Sequence, residues 1–223
     1  VRFARAGYGT SMMSRVINNV GFGAEVKSVD ISNSTYNINT TGLVTPINLI
    51  QVGSTFCNRI GRRIEMSSLY VTGTLRLTGN TTATHDYCRI LIVYDRQTNG
   101  ATPAIATILS NYDQTTAQTT NAGSGLNPDQ KERFVILADE RRVVPPVSAT
   151  GVYSSTEGDQ DMFSIKRFVK LRGMQTHYQA DSSPAVVGDI STGGLFLVTI
   201  GLFANNSQPV NLNCNFRLRY KDT

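Results

Sequence analysis

The chain is 223 residues long, 40% hydrophobic and only 17% charged, with 21 Lys+Arg against 16 Asp+Glu for a formal net charge of +5. Ser, Thr and Asn make up about 27% of it, so uncharged hydroxyls and amides supply the surface; this excludes coiled coils, helical bundles and a charge-rich disordered chain. The length suffices for one large domain with a real core, and Thr, Val, Ile, Tyr and Phe favour β structure.

Residues 1–23 carry Arg2, Arg5 and Arg15 and no acidic residue, interrupted by Gly7, Gly9, Gly21 and Gly23. They read as the end of a basic N-terminal arm entering a single domain over residues 24–223, and the start at Val1-Arg2 without a Met predicts that something was removed ahead of it. From Glu25 onward, about eight short apolar segments alternate with turn residues. Within residues 69–77, Leu69, Val71, Leu75 and Leu77 alternate with Tyr70, Thr72, Thr74 and Arg76, a period of two that sends one face to a core. Residues 87–94 are nearly apolar on both faces, as in a central strand covered on both sides, and lead to a turn at Asn99-Gly100.

Ile105, Ile108 and Leu109 fall at helical spacing and predict one short helix, and residues 113–128 read as polar loop. Residues 134–138 give a further strand. In residues 161–172, Phe163, Ile165, Val169 and Leu171 line one face while Lys166, Lys170 and Arg172 line the other. The last two strands cover residues 195–204 and 213–221; in the second, Phe216, Leu218 and Tyr220 alternate with Arg217, Arg219 and Lys221, giving it a basic face. No repeat or linker divides the chain. About eight strands with long, uneven loops suit an all-β fold, an eight-stranded antiparallel jelly-roll sandwich, better than a propeller or a meander barrel.

Enzymatic chemistry lacks its residues. His85 and His177 fall in no metal-ligand spacing, and neither a GxSxG elbow nor a phosphate-cradling glycine pattern occurs. Cys57, Cys88 and Cys214 are odd in number and far apart, against both a disulfide framework and a zinc site. Glu157, Asp159 and Asp161 occupy alternate positions, as at the start of a calcium loop, but the rest of that loop is missing and a solvated turn is expected. The expectation is therefore no catalytic residue, no metal and no cofactor. The glycosylation patterns at Asn33, Asn39, Asn80 and Asn205 are expected by chance in so Asn-, Ser- and Thr-rich a chain. The longest apolar run, residues 195–204, is far short of the ~20 residues of a membrane helix and reads as a buried strand, with no membrane partner.

What remains is basic charge and its placement. Residues 1–80 hold eight Lys+Arg against three acids, so most of the net charge sits there. The knot Asn58-Arg59-Ile60-Gly61-Arg62-Arg63-Ile64 alternates too poorly for a core strand but gathers Arg59, Arg62 and Arg63, each able to grip a phosphate with two donors. Phe3, Tyr8 and Phe56 lie near these arginines in sequence, where aromatic rings serve to stack unpaired bases. Contacts to other proteins, or a solvated loop, explain the three knot arginines equally well. Arg2, Arg5, Arg15, Arg59, Arg62 and Arg63 are the candidate nucleic-acid contacts, with Lys166, Lys170 and Arg172 a second basic surface.

Several segments, in order along the chain, resemble the jelly-roll capsid proteins of small circular single-stranded DNA viruses that encode a replication initiator, the circovirus and geminivirus relatives. They are EVKSVD at 25–30, NRIGRRI at 58–64 followed by SSLYVTG at 67–73, IVYDRQTNGATP at 92–103, RFVILAD at 133–139, GDISTGG at 188–194 and RLRY at 217–220. The resemblance implies a structural protein of the virion that assembles as a homo-oligomer, about sixty copies in the smallest (T=1) icosahedral shell, around circular single-stranded DNA. It also implies assembly in the host nucleus and an Arg-rich arm lining the interior. Here only Arg2, Arg5 and Arg15 represent such an arm. About sixty subunits of +5 give on the order of 300 charges, against roughly 670 nucleotides for the gene alone, so a missing arm or other counterions are expected.

An RNA cargo, as in satellite-like coat proteins of the same fold, stays open, because no residue here reads a 2′-hydroxyl. A secreted jelly-roll binding module, lectin-like or cytokine-like, explains the strands but not the acid-free arm. On a shell, the loops over 113–128, 143–161 and 179–189 are expected to make subunit contacts and the outer surface, including any host receptor site.

Overall fold

In the last strand of the protein, Leu212, Cys214, Phe216, Leu218 and Tyr220 are buried while Asn213, Asn215, Arg217 and Arg219 are exposed. That alternation, repeated strand after strand, makes sheets with one apolar face each. The computed structural model describes residues 26–77, 86–112, 118–144, 162–202 and 210–223. Its strands are β1 (Val26–Ile38), β2 (Leu43–Pro46), β3 (Arg63–Leu77), β4 (Asp86–Asp95), β5 (Asn111–Tyr112), β6 (Gln118–Thr119), β7 (Phe134–Val144), β8 (Phe163–Tyr178), β9 (Ile190–Thr192), β10 (Gly194–Gly201) and β11 (Val210–Asp222), with one helical turn, α1 (Ile105–Ile108).

Two sheets face each other. The first has the order β1-β11-β3-β8-β9, the second β2-β10-β4-β7, and every pairing in both is antiparallel. Of the eight principal strands in chain order, the first sheet holds the first, eighth, third and sixth, and the second holds the second, seventh, fourth and fifth. Among these eight, the chain changes sheet at every connection except that from β4 to β7, which is the wiring of an eight-stranded jelly roll. Between the sheets lies the main core, where Leu69, Leu75, Phe216 and Leu218 of the first sheet and Leu195 and Leu197 of the second belong to one buried cluster. Each such side chain contributes about 1.5–3 kcal/mol on burial.

A second core covers the far side of the second sheet. Leu91 and Val93 of β4 and Phe196, Val198 and Ile200 of β10 cluster there with Ile108, Leu109, Ala122 and Phe134. The cover is the segment between β4 and β7, including α1, which explains why β4 and β10 are apolar on both faces. Arg89 pins it from beneath: 2% exposed, it makes a two-point pair with Asp139 (2.8 and 2.7 Å) and donates to the carbonyls of Ala122 and Ser124. Arg133 holds Asp95 with two bonds of 2.8 Å at the other end of the segment.

The helix expected around Ile105 and Ile108 forms, as a single turn. The Asn99-Gly100 turn is present with both residues left-handed, φ 52° and 71°. Two of the expected loops are held by their own hydrogen bonds. Residues 120–127 form a loop, as expected, within which Ala122, Ser124 and Asn127 are buried and polar groups are bonded locally, as in Asn121 N–H to Ser124 Oγ (2.8 Å) and Asn127 N–H to Ile108 O (2.8 Å). Residues 179–189 are tied down as well, with Asp189 buried and accepting from Ser182 Oγ (2.7 Å) and Val186 N–H (3.0 Å). Residues 145–161, including Glu157, Asp159 and Asp161, lie outside the described residues, as does His85. The short strands β2, β5, β6 and β9 carry too few residues for alternation to reveal them.

Candidate nucleic-acid interface

Nothing among the described residues covers the outward face of the first sheet, and its polar residues fall into rows across four strands. The hydrogen-bond register aligns Ser28, Arg219, Ser68 and Lys170 in one row. The next row is Asp30, Arg217, Tyr70 and Phe168, and the third is Ser32, Asn215, Thr72 and Lys166. Successive rows are about 7 Å apart and neighbouring strands about 4.8 Å apart. Lys166 and Lys170, far in sequence from Arg217 and Arg219, thus share one surface with them. Arg76 stands further along it, level with Asn211.

Charge on this face is uneven. Arg217 forms a two-point pair with Asp30, both bonds 2.7 Å, and that guanidinium holds the Asp30 carboxyl below the usual carboxylate range. Arg76, Lys166, Lys170 and Arg219 are exposed, with no salt bridge among the described residues. Two shallow depressions of about 390 and 430 Å³ meet at Tyr70, Thr72 and Asn215, one bounded by Asp30 and Arg217 and the other by Lys166. Phe168, at the free edge of the sheet, is 54% exposed.

Arg172 stands at the end of this surface in a bulge. Opposite Ser67 of β3, β8 places three residues, 171–173, and both Arg172 and Gly173 are left-handed, with φ 50° and 78°. The left-handed backbone at Gly173 favours glycine there, while Arg172 bears a backbone cost of about 1–2 kcal/mol.

The structure divides the arginine knot, and Arg59 corrects the expectation that all three guanidiniums face a ligand. Its side chain is 1% exposed and donates to the carbonyls of Ile50 (3.0 Å), Gly61 (2.8 Å) and Ala180 (3.0 Å) and to Asp181 Oδ1 (2.7 Å), with Cζ 3.9 Å from the centre of the Tyr178 ring. A buried guanidinium needs such partners, and these hold the loop before β3 to the one after β8. Asp222 secures the same loop, accepting from the amides of Ile60 and Gly61 and from Lys27 Nζ (3.2 Å). Burial pushes its carboxyl up, but these donors outweigh that effect and hold it below the ordinary carboxylate range. Arg62, with a side chain 70% exposed and 3.8 Å from Asp181, and Arg63, exposed and bonded to Thr223 Oγ1 (2.9 Å), remain at the surface.

Arg2, Arg5 and Arg15, with Phe3 and Tyr8, lie outside the described residues. Phe56 is exposed on the knot's loop. The alternation of Arg217 and Arg219 with buried residues marked a basic strand; what one-dimensional reading missed is that this strand is a neighbour of β3 and, through it, of β8. Among the described residues no group of three His, Cys, Asp or Glu side chains is placed to hold a metal ion.

A family model described as the geminivirus coat protein/nuclear export factor BR1 family matches residues 7–223. Among solved structures, VP1 of trichodysplasia spinulosa-associated polyomavirus, in complex with 6′-sialyllactose, is 10% identical over 91% of this chain and 96% of that one, with a TM-score of 0.25. The infectious bursal disease virus Gx strain structure is 9% identical over 89% of this chain and 40% of that one, with a TM-score of 0.18. Likenesses this weak carry no argument. No curated protein matches the chain.

Proposed function

The chain belongs to the geminivirus coat protein/nuclear export factor BR1 family, and we propose that this jelly-roll coat protein closes a T=1 shell of about sixty copies around circular single-stranded DNA. Assembly is assigned to the host nucleus and the finished protein to the virion. The open face of the first sheet turns toward the cargo and binds phosphate through Arg76, Lys166, Lys170 and Arg219. Arg172 extends this surface, Arg62 and Arg63 add to it at the end of the sheet, and Arg2, Arg5 and Arg15 supply further contacts from the arm. Arg59 is assigned to the scaffold instead.

The observation that carries this reading is the asymmetry of the sandwich: among the described residues, one outer face is closed by an apolar cover, while the other is uncovered and polar and carries Arg76, Lys166, Lys170 and Arg219 with no salt bridge. Phosphate contacts of this kind position a polynucleotide without reading its sequence, and their strength falls steeply with salt. Expression of the chain, followed by sedimentation, negative-stain microscopy and the absorbance ratio at 260 and 280 nm, tests the reading. Closed particles of uniform size with co-purifying nucleic acid are expected. Replacing Arg62, Arg63, Lys166 and Lys170 by Gln is expected to give particles of lower nucleic-acid content; unchanged content would sink the assignment of these residues. Nuclease sensitivity of the extracted cargo separates DNA from RNA.

A further inference from the structure

The open face has a feature that phosphate binding does not use. Of its cations without a salt bridge among the described residues, Lys166, Lys170 and Arg219 stand on the first and third rows, and the middle row carries the Asp30–Arg217 ion pair; beside these, Ser32, Thr72 and Asn215 present hydroxyls and an amide, and Tyr70 presents a ring. Phosphates gain from the cations and from the hydroxyl and amide donors, but not from the ring. Flat groups whose edges carry both donors and acceptors gain from the ring as well, and these are nucleobases.

We infer that the two depressions meeting at Tyr70 hold the unpaired bases of two consecutive nucleotides, with Tyr70 as the stacking surface and Thr72, Asn215 and Ser32 as hydrogen-bonding partners of the base edges. The strand's phosphates fall on Lys166 on one side and on Arg219 and Lys170 on the other. The inference rests on the cargo reading above and deepens it: it makes the face selective for single strands. At about 390 and 430 Å³ each depression is within the roughly 300–1,000 Å³ in which small ligands are held. The shared wall at Tyr70, Thr72 and Asn215 places them side by side, as successive nucleotides require. A duplex keeps its bases stacked inside and offers a sheet face only its phosphates, so the Tyr70 ring contributes nothing to binding it.

The test is fluorescence anisotropy with a labelled oligothymidylate and a labelled duplex of equal length, using the full chain held unassembled, its state checked by sedimentation. The unaltered protein is expected to prefer the single strand by about ten-fold or more. Tyr70→Ala is expected to weaken single-strand binding about ten-fold while leaving the duplex unchanged, and Tyr70→Phe, which keeps the ring, to retain the preference. Lys166→Gln with Lys170→Gln is expected to weaken both polymers alike. If the lysine pair weakens both polymers but Tyr70→Ala alters neither, or both equally, the stacking inference falls and the cargo reading stands. If the unaltered protein binds neither polymer, the cargo reading falls and this inference with it. Crosslinking of a bromodeoxyuridine oligomer to the unaltered chain gives a check independent of any variant's folding: an adduct on the peptide containing Tyr70 supports the inference, and adducts confined to other peptides overturn it.

Discussion

The outer faces of the two sheets solve opposite problems. On the second sheet β10 is buried at every position, both toward the main core and toward the cover. On the first sheet β11 alternates, buried inward and exposed outward from Leu212 to Tyr220. Both strands lie inside their sheets with a neighbour on each side, so pairing does not distinguish them. What does is the chain segment between β4 and β7, which folds back over one outer face, while none of the described residues covers the other. Stability is expected to depend on the covered side, and the proposed ligand chemistry lies on the bare side.

The largest expected effect tests the covered side. Arg89→Ala removes both bonds to Asp139 and the donors to Ala122 and Ser124, leaving buried polar groups unpaired, and is expected to cost about 3–5 kcal/mol. In urea or thermal unfolding that is a fall in Tm on the order of 10 °C for a chain of this size. Phe196→Ala, which empties the same cluster of a large ring, is expected to cost about 3–4 kcal/mol. Thr72→Ala on the bare face is expected to change stability by less than about 0.5 kcal/mol. A loss at Thr72 as large as that at Phe196 would break the contrast.

Acid offers a smaller and graded test. Asp139 is held below the usual carboxylate range by hydrogen bonds from Arg89, and Asp222 is also low. A carboxyl depressed in the folded state stabilises it above its unfolded value, ~3.9, and that stability is lost as pH falls through the lower folded value. Unfolding free energy is therefore expected to be insensitive to these groups near neutrality and to decline below about pH 4. Arg89→Ala should flatten the share that belongs to Asp139, which denaturant titrations at several pH values measure.

The smallest effect is on the bare side and is one of binding. Asp30→Asn releases Arg217 from its ion pair, adding one free cation to the row of Tyr70. The slope of log affinity against log salt for a single strand is expected to steepen by about 1, with little change in melting temperature. An unchanged slope would show that Arg217 does not reach the strand.

Much of this architecture was legible residue by residue. Period-two alternation located β3, β8 and β11, and the doubly apolar run of residues 87–94 announced a strand covered on both sides, which β4 is. Short strands escaped because three or four residues carry no period. Arg59 was misassigned because its neighbours Arg62 and Arg63 are exposed: composition cannot tell a guanidinium bonded to three carbonyls from one bathed in water. The segment 120–127 is loop, as its polar side chains indicate, but hydrogen bonds that no spacing reveals let Ala122, Ser124 and Asn127 be buried within it.

The amino-acid order settled the class of fold and the existence of basic strand faces, since alternation and turn chemistry are local properties read along a single strand. The register settled which basic strand faces lie side by side. Lys166 and Arg219 are separated by more than fifty positions in the chain, and only the antiparallel pairing of β8 with β3 and of β3 with β11 sets them on one face, on either side of the row of Tyr70. Burial settled which arginines are free, because a guanidinium's availability depends on the carbonyls and carboxylates that the folded chain brings to it, and these come from Ile50, Ala180 and Asp181, outside the knot itself.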